Sequence, residues 1–280
     1  MTMENKICLV TGATDGIGFV TAKVLAQQGA RVFIHGRNAE KGARCVEQIK
    51  QATGNNAVSF LLADFASLEQ VRAVAATLNS SIDKLDLLVN NAGSASHATR
   101  ELSKDGYELT FAANHLAPFL LTNLLLDKIR LAPHARIVNV SSTAHKIKPF
   151  DIDDLMSERI SPIYAYGRSK FANILFSNEL AKRLSGTGIT SNALHPGVVR
   201  TGFGKEATIS RIFYMLAAPF LKTPEQGAAT NIYLAISTEV ENKSGGYYAN
   251  CKLAEPDAST KTPGLAERLW RESEQLVGLV

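Results

Sequence analysis

Apolar and polar positions alternate along this chain in two registers. Short apolar runs at 6–11, 31–35, 57–63, 85–90, 135–141, 189–195 and 245–249 read as strands. Stretches with apolar residues at helical spacing lie between them, at 17–28, 38–52, 67–79, 101–131, 164–185, 223–237 and 263–277. The stretch at 101–131 is expected to break near Asn114. Strand and helix alternate from end to end, which implies a parallel sheet covered by helices on both faces, a three-layer αβα arrangement of the α/β class. Right-handed crossovers then gather the C-terminal ends of the strands around one crevice. No linker, repeat or low-complexity stretch divides the sequence, so residues 1–280 read as a single domain. The least regular segments, 144–163 and 202–221, both follow strands at that edge.

The turn after the first strand carries the first chemistry. Thr11-Gly-Ala-Thr-Asp-Gly-Ile-Gly18 joins the apolar run Ile7-Cys-Leu-Val10 to a helical pattern starting near Phe19. Gly12 permits a tight turn, Gly16 lets backbone approach a ligand, and Gly18 allows helix to pack closely on strand. Backbone N–H groups and the positive end of a helix dipole meet there, which suits a diphosphate. The fold is therefore read as a Rossmann-type doubly wound sheet of about seven strands, with Gly12, Thr14, Asp15, Gly16, Ile17 and Gly18 as cofactor contacts. A dinucleotide fold usually has an acid about 20 positions on, bound to the adenosine ribose. Here the second strand ends Phe33-Ile-His-Gly36-Arg37-Asn38, with no carboxylate. Arg37, followed by Asn38, can hold a 2′-phosphate, which favours NADP(H) over NAD(H). Asp15 supplies no positive charge and slightly weakens that reading. The third strand ends Ala63-Asp64-Phe65, where Asp64 can accept from an adenine amino group or cap the next helix; Ser67 is the better-placed cap. The fourth ends Asn90-Asn91-Ala92-Gly93, small residues and amides that allow backbone to lie against the cofactor.

Composition narrows the classes. With 45% hydrophobic and 20% charged residues the chain is globular, and a net charge of +4 with no basic run argues against nucleic-acid binding. Cys8, Cys45 and Cys251 are widely spaced and suit a reducing compartment, without a disulfide or zinc pattern. The six histidines show no ligand spacing, so no metal is expected. Neither a signal peptide nor a transmembrane run is evident, and the chain reads as cytoplasmic. The apolar stretch Ile209–Leu221 is read as part of a substrate lid over about 202–221, in preference to a membrane-surface contact.

The fifth strand ends Val138-Asn-Val-Ser141-Ser142, and a later helix carries Tyr166-Gly-Arg-Ser-Lys170. Residues four apart share a helix face, so Tyr166 and Lys170 are neighbours. A nearby ammonium favours phenolate and lowers the tyrosine pKa. Such a phenol exchanges a proton with a carbonyl or alcohol oxygen, which Ser142 can hydrogen-bond as charge develops. A nicotinamide supplies the hydride. Tyr164 competes as the phenol, but four residues on lies Arg168 in place of a lysine.

Taken together, Thr11-Gly12-xxx-Gly16-Ile17-Gly18, Asp64, Asn90-Asn-Ala-Gly93, Asn114, Ser142, Tyr166-xxx-Lys170 and Pro196-Gly197 resemble the short-chain dehydrogenase/reductase family, in family order and over nearly the whole length. The resemblance implies catalytic Asn114, Ser142, Tyr166 and Lys170, with Lys170 and Tyr166 also at the nicotinamide ribose. It implies that Asn114 bends its helix and holds a relay water. It places Pro196, Gly197, Val199 and Thr201 beside the nicotinamide, the Val199 backbone and the Thr201 hydroxyl meeting the carboxamide; His195 is read as structural. Ala165-Tyr-Gly-Arg-Ser-Lys-Phe-Ala-Asn-Ile-Leu-Phe176, His195-Pro-Gly197 and Gly246-Tyr-Tyr-Ala-Asn-Cys251 are similar to the retinol-dehydrogenase and WW-domain-oxidoreductase-like branch. Two departures stand out: the N-terminal membrane anchor common in retinol dehydrogenases is missing, and Ser142 and Tyr166 are farther apart than in compact members. The extra residues carry Asp151, Asp153, Asp154 and Glu158, which could shape the pocket or cover an oligomer surface. The resemblance also implies a homodimer through the helices at 101–131 and 164–185, which the 144–163 segment could block.

The expected function is NADP(H)-dependent hydride transfer between nicotinamide and a lipophilic ketone, aldehyde or alcohol. The pocket is expected from Ser94–Ala98, Thr143–His145, Val198 and the lid. A catalytically silent NADP-binding regulatory protein of the same fold is the alternative, but it predicts damage to the catalytic set, and the set is intact. A sugar-nucleotide epimerase or dehydratase would need a larger C-terminal substrate domain than the chain after residue 250 supplies.

Overall fold

The computed structural model describes residues 2–95, 99–147, 150–199 and 221–280. One eight-stranded sheet organises them. Its strands are β1 (Ile7–Val10), β2 (Arg31–Gly36), β3 (Val58–Leu62), β4 (Leu87–Asn90), β5 (Arg136–Val140), β6 (Thr190–His195), β7 (Tyr247–Ala249) and β8 (Lys252–Leu253). The order is β3-β2-β1-β4-β5-β6-β7-β8, and every pair is parallel except β7–β8. The chain reverses direction across the sheet between β1 and β4, so the loops after these two strands flank the switch-point crevice of a doubly wound fold.

Two apolar layers flank the sheet. Helices α1 (Gly16–Gln27), α2 (Ala39–Thr53) and α6 (Pro224–Ile236) bury Leu25, Val46, Ile49 and Leu234 on one face. Helices α3 (Leu68–Ser81), α4 (Leu109–Arg130), α5 (Ala165–Arg183) and α7 (Leu265–Leu276) bury Val71, Phe119, Phe171 and Trp270 on the other. The helix starts follow ordinary capping chemistry: Asn38 accepts from the Lys41 amide at 2.8 Å and Ser67 caps α3, as the sequence suggests. α6 opens on a Thr223/Gln226 capping box and ends on the buried Arg136, whose Nη1 donates to the carbonyls of Leu234 and Ser237. α4 is long and apolar enough to cross a membrane, and most of that stretch is buried inside the protein.

Two expectations are corrected. The helix expected from 101 begins only at Leu109, where the Glu108 carboxylate accepts from the amides of Thr110 and Phe111; residues before it form a turn bridging Leu102 to Glu108. β8 is an additional strand. Asn250 and Cys251 both take positive φ (50° and 59°), the conformation that closes a two-residue hairpin. The irregular 144–163 segment holds three short 3₁₀ turns, at Thr143–Lys146, Ile152–Asp154 and Pro162–Tyr164.

α7 packs over both α4 and α5. Trp270 lies 4.9 Å from Phe119 and 5.8 Å from Phe176, with the Arg183 guanidinium 4.2 Å over its ring. His115 Nε2 and Ser273 Oγ are 2.9 Å apart and join α7 to α4 at the same place. Trp270→Ala leaves a large cavity there and should cost about 3–5 kcal/mol in urea unfolding; a loss below about 1 kcal/mol would mean that α7 is not part of the cooperative core.

Candidate active site

The crevice is built by backbone coming closer to backbone than side chains permit. Gly12 takes φ +61°, and a Cβ there would sit 2.7 Å from Ala92 Cα. A Cβ on Gly18 would meet the Gly12 carbonyl oxygen at 2.4 Å. Thr11 and Asn91 hold this contact. The Thr11 hydroxyl accepts from the amides of Asn91 and Ala92, each at 3.0 Å, and the Asn91 amide donates to the carbonyls of Thr11 (2.8 Å) and Gly12 (3.1 Å). His35 supports the loop from below: its Nδ1 accepts from the Gly12 amide at 3.3 Å, its Nε2 meets the Ala63 carbonyl at 3.1 Å, and its ring stacks on Phe65 at 4.0 Å. Burial pushes His35 down to about 4, so it stays neutral and keeps a lone pair for Gly12.

At the ends of β4 and β5 four expected catalytic residues converge. α4 contains a π turn at Ala112–Leu116, the bend expected near Asn114. The Asn114 side chain accepts from the Ser94 amide (2.7 Å) and donates to the Ser94 carbonyl and the Ser169 hydroxyl (2.9 Å each). Gly93 lies in the same corner: a Cβ on it would be 3.1 Å from Asn114 Oδ1 and 3.3 Å from Lys170 Nζ. Lys170 Nζ donates to the Val140 carbonyl at 3.0 Å and sits 5.6 Å from the Tyr166 ring centroid. Burial lowers its pKa to about 8. Ser142 caps the Thr143–Lys146 turn, its Oγ accepting from the Ala144 amide at 3.2 Å, a bond that leaves its own proton to donate. Gly167 lets that turn press against the start of α5, since a Cβ there would be 2.6 Å from the Ala144 oxygen. Ser142, Tyr166, Lys170 and Asn114 thus surround one corner at the C-terminal edge of the sheet.

The family model for short chain dehydrogenases matches residues 6–211. Human retinol dehydrogenase 12 is 40% identical over 278 residues, covering 99% of this chain and 88% of its own. Human retinol dehydrogenase 13 is 40% identical over 292 residues, with 99% and 86% covered. Among solved structures, the Pseudomonas aeruginosa RhlG/NADP active-site complex superposes with a TM-score of 0.71 at 30% identity, covering 88% of this chain and 94% of that one. The chain belongs to the short-chain dehydrogenase/reductase family, in its retinol-dehydrogenase-like branch. The family makes it an oxidoreductase acting on alcohols or carbonyls with a nicotinamide cofactor.

The Rossmann-type residues of this short-chain dehydrogenase divide into those that face the crevice and those that build it. Gly16 (φ +51°), Ile17 and Gly18 open α1, with Asp15 as N-cap donating none of its charge to a phosphate: its carboxylate accepts from Gly16 N and pairs with Lys41 at 2.6 Å. Thr14 packs against Gly36, where a Cβ would meet Thr14 Cγ2 at 2.6 Å. Arg37 and Asn38 are exposed at the start of α2. The basic side chain that sequence reasoning missed is Lys41, one helical turn after Arg37; with Arg44 it lines a surface cleft that also includes Thr14, Asp15 and Gly16. The three-residue spacing of Lys41 and Arg44 on the first turns of α2 was the available signal. Thr11 and Asn91 were also missed as site builders, because only tertiary pairing shows which loop they hold.

Several expected contacts are corrected. The Asn90 side-chain amide lies inside the sheet layer, donating to Thr122 (3.0 Å) and Asn139 (2.9 Å), which leaves its backbone for the contact expected at this strand end. Phe65 is buried on His35 rather than turned outward. Asp64 does not cap α3; its Oδ1 accepts from the Ala66 amide at 3.0 Å. Both amide hydrogens of Asn114 are engaged, by the Ser94 carbonyl and the Ser169 hydroxyl, so a relay water would meet one of its oxygens. His195, read as structural, accepts at Nδ1 from the Thr143 amide at 3.3 Å. Arg168, rejected as a proton-relay partner, is buried against the 144–163 segment: it pairs with Asp154 at 3.1 Å and donates to the Asp151 carbonyl at 2.6 Å. Pro196 and Gly197 (φ +97°) follow β6, Val199 is buried, and Val198 is exposed. Thr201, Ser96–Ala98 and the expected lid, except for Leu221, lie outside the described residues.

Burial holds His35, His115 and His195 down, to about 4, 3 and 4, from an ordinary 6.5. The unfolded chain therefore binds more protons than the folded one below 6.5. Stability from these groups is complete above that pH and is lost as pH falls toward 4. Thermal melting should drop between pH 7 and 4.5, and His35→Asn should shrink that drop; a melting temperature flat across the window would contradict the assignment.

Proposed function

We propose that this protein is an NADP(H)-dependent oxidoreductase that interconverts lipophilic carbonyls and alcohols, with Tyr166 as general acid/base. The observation that carries the proposal is the convergence of Ser142, Tyr166, Lys170 and Asn114 beside a glycine loop with no room for side chains. The loop fits a dinucleotide: backbone at Gly12 and Gly16 is in the left-handed region, and the N-terminus of α1 points its amides into the crevice. NADP(H), when bound, supplies or accepts the hydride.

The chain's own groups account for the rest. Ser142 Oγ donates to the substrate oxygen and holds it in line with the Tyr166 hydroxyl. Tyr166 gives that oxygen a proton in reduction and takes one in oxidation. Lys170, desolvated and close to the Tyr166 ring, favours the ionised phenol and reaches toward the cofactor ribose. Asn114 keeps the π turn, Ser94 and Ser169 in register, and the Ser169 hydroxyl donates to the Tyr166 carbonyl at 2.8 Å. Tyr164 ends a 3₁₀ turn before α5, and Arg168 is committed elsewhere, which supports Tyr166 as the phenol.

Two surfaces support the finer reading. We assign Arg37, exposed after β2, and Lys41, which lines the cleft with Thr14, Asp15 and Gly16, to a 2′-phosphate, and RhlG, a relative in structure, is described with NADP. Ile147, Ile163 and Val198 are 64%, 64% and 51% exposed on the segments bearing Ser142, Tyr166 and Gly197, an apolar rim suited to a lipophilic substrate. We place any homodimer contact away from the parts of α4 and α5 that α7 covers.

An NADPH-oxidation screen over aldehydes and ketones of graded length tests the proposal directly; no turnover of any member would defeat it. Tyr166→Phe keeps the ring and should lower kcat by roughly 10²- to 10⁴-fold while NADPH binding persists. Tyr164→Phe should stay near wild type, and the reverse pattern would reassign the acid. For the cofactor, Arg37→Ala with Lys41→Ala should raise KM for NADPH by roughly 10- to 100-fold, the loss expected for charge-assisted hydrogen bonds, while KM for NADH changes little. Equal effects on both cofactors would remove the 2′-phosphate assignment.

A further inference from the structure

The peptide unit that follows the proposed catalytic serine is held at both of its polar ends by histidines that the reaction does not use. Its carbonyl, that of Ser142, lies 2.5 Å from His145 Nδ1. Its amide, that of Thr143, donates to His195 Nδ1 at 3.3 Å. His145 is 1% exposed, and its other nitrogen, Nε2, accepts from the Asp257 amide at 3.0 Å. A backbone amide is only ever a donor, so Nε2 carries the lone pair and the ring proton sits on Nδ1, donating to Ser142. Burial lowers the pKa of both histidines, which keeps each of them neutral and able to accept.

His145 is also packed in place. The Tyr247 ring meets it edge-on at 5.3 Å, and the Tyr247 hydroxyl is buried without a hydrogen-bond partner among the described residues. Lys146 donates to the Glu255 carbonyl at 3.2 Å, and Asp257 caps the Ala258–Lys261 turn through the Ser259 amide at 2.9 Å. The chain beyond β8 is therefore tied to the serine turn at two adjacent residues, one of them through a buried imidazole.

We propose that His145 is a positioning residue for the hydride-transfer reaction: by donating to the Ser142 carbonyl while accepting from Asp257, it fixes the direction of the Ser142 hydroxyl and couples it to the docked 254–262 segment. The proposal rests on the catalytic reading above. The Ser142 backbone is extended (φ −160°, ψ 155°), and the turn bonds, the two histidines and the close approach to Gly167 act on where its Oγ lies. A shift of this carbonyl moves the Oγ relative to Tyr166, and misplacement by about 1 Å is enough to cost two orders of magnitude in rate.

Two amide substitutions separate the halves of the bridge. His145→Asn retains a donor near Nδ1 and loses the acceptor for Asp257. His145→Gln retains an acceptor near Nε2 and loses the donor to Ser142. With NADPH and decanal, His145→Gln should lower kcat by roughly 10- to 100-fold with KM for NADPH unchanged, while His145→Asn should stay within about threefold of wild type. Equal kcat losses in the two variants would overturn the proposal. Hydrogen exchange, read by mass spectrometry, gives a second readout that needs no turnover. Peptides covering 142–146 should exchange faster in His145→Gln than in His145→Asn, and those covering 255–259 faster in His145→Asn. If wild type reduces no aldehyde or ketone of the graded screen but this crossed exchange pattern appears, the bridge stands and the catalytic reading falls. If both variants exchange alike, the bridge is wrong whatever the activity.

Discussion

The contact between Gly12 and Ala92 is the constraint on which the site depends. Two strand-end loops, after β1 and β4, touch backbone to backbone at the switch point of the sheet. Any side chain at Gly12 would collide with Ala92 Cα, and any at Gly18 with the Gly12 carbonyl. This closeness brings the N-terminus of α1 and the end of β4 to the same crevice. Thr11 and Asn91 keep the two loops together with four hydrogen bonds, and His35 supports the turn from the adjacent strand. The cofactor cradle is thus a packing result first and a binding surface second.

On the other side of the crevice, buried polar groups set the catalytic geometry. Asn139 links Asn90 to Ser177 and Ser191 across three adjacent strands and α5. Such a network raises the cost of any shift between β4, β5 and β6, because each displaced group would lose its partner in a medium that cannot replace it. Lys170 is anchored on the Val140 carbonyl beside this network. Its lowered pKa follows from the desolvation of this corner.

The segment between Ser142 and Tyr166 explains how a longer connection coexists with a precise pair. Arg168, on the same helix as Tyr166, is 3% exposed and holds Asp154, Ser157 and the Asp151 carbonyl. A buried ion pair of this kind contributes little net stability, yet breaking it leaves a charge without water or partner. It therefore fixes where the insertion lies against α5. With the segment fixed there, the apolar Ile147 and Ile163 are presented at the ends of that segment, near Ser142 and Tyr166 respectively.

The alternation of apolar runs and helical stretches was enough to read a doubly wound parallel sheet, because burial on both faces of a sheet imposes that pattern residue by residue. Glycines at 12, 16 and 18, the missing acid at 36, and the Tyr166–Lys170 spacing were legible for the same reason: each is a local requirement, a backbone angle or a helix face. What the sequence alone left undecided depends on partners far along the chain. Phe65 looked like a cofactor contact, but His35 takes its ring. Lys41 joined the site only when α2 folded beside the glycine turn. Thr143 gave His195 its partner, 52 positions away, and Asp257 gave His145 its second, 112 positions away. The β8 hairpin, set by two left-handed residues that are not glycine, was likewise invisible to periodicity. Short-range sterics and periodic burial are written along the chain, whereas hydrogen-bond partners across the crevice exist only once the strands have been brought side by side.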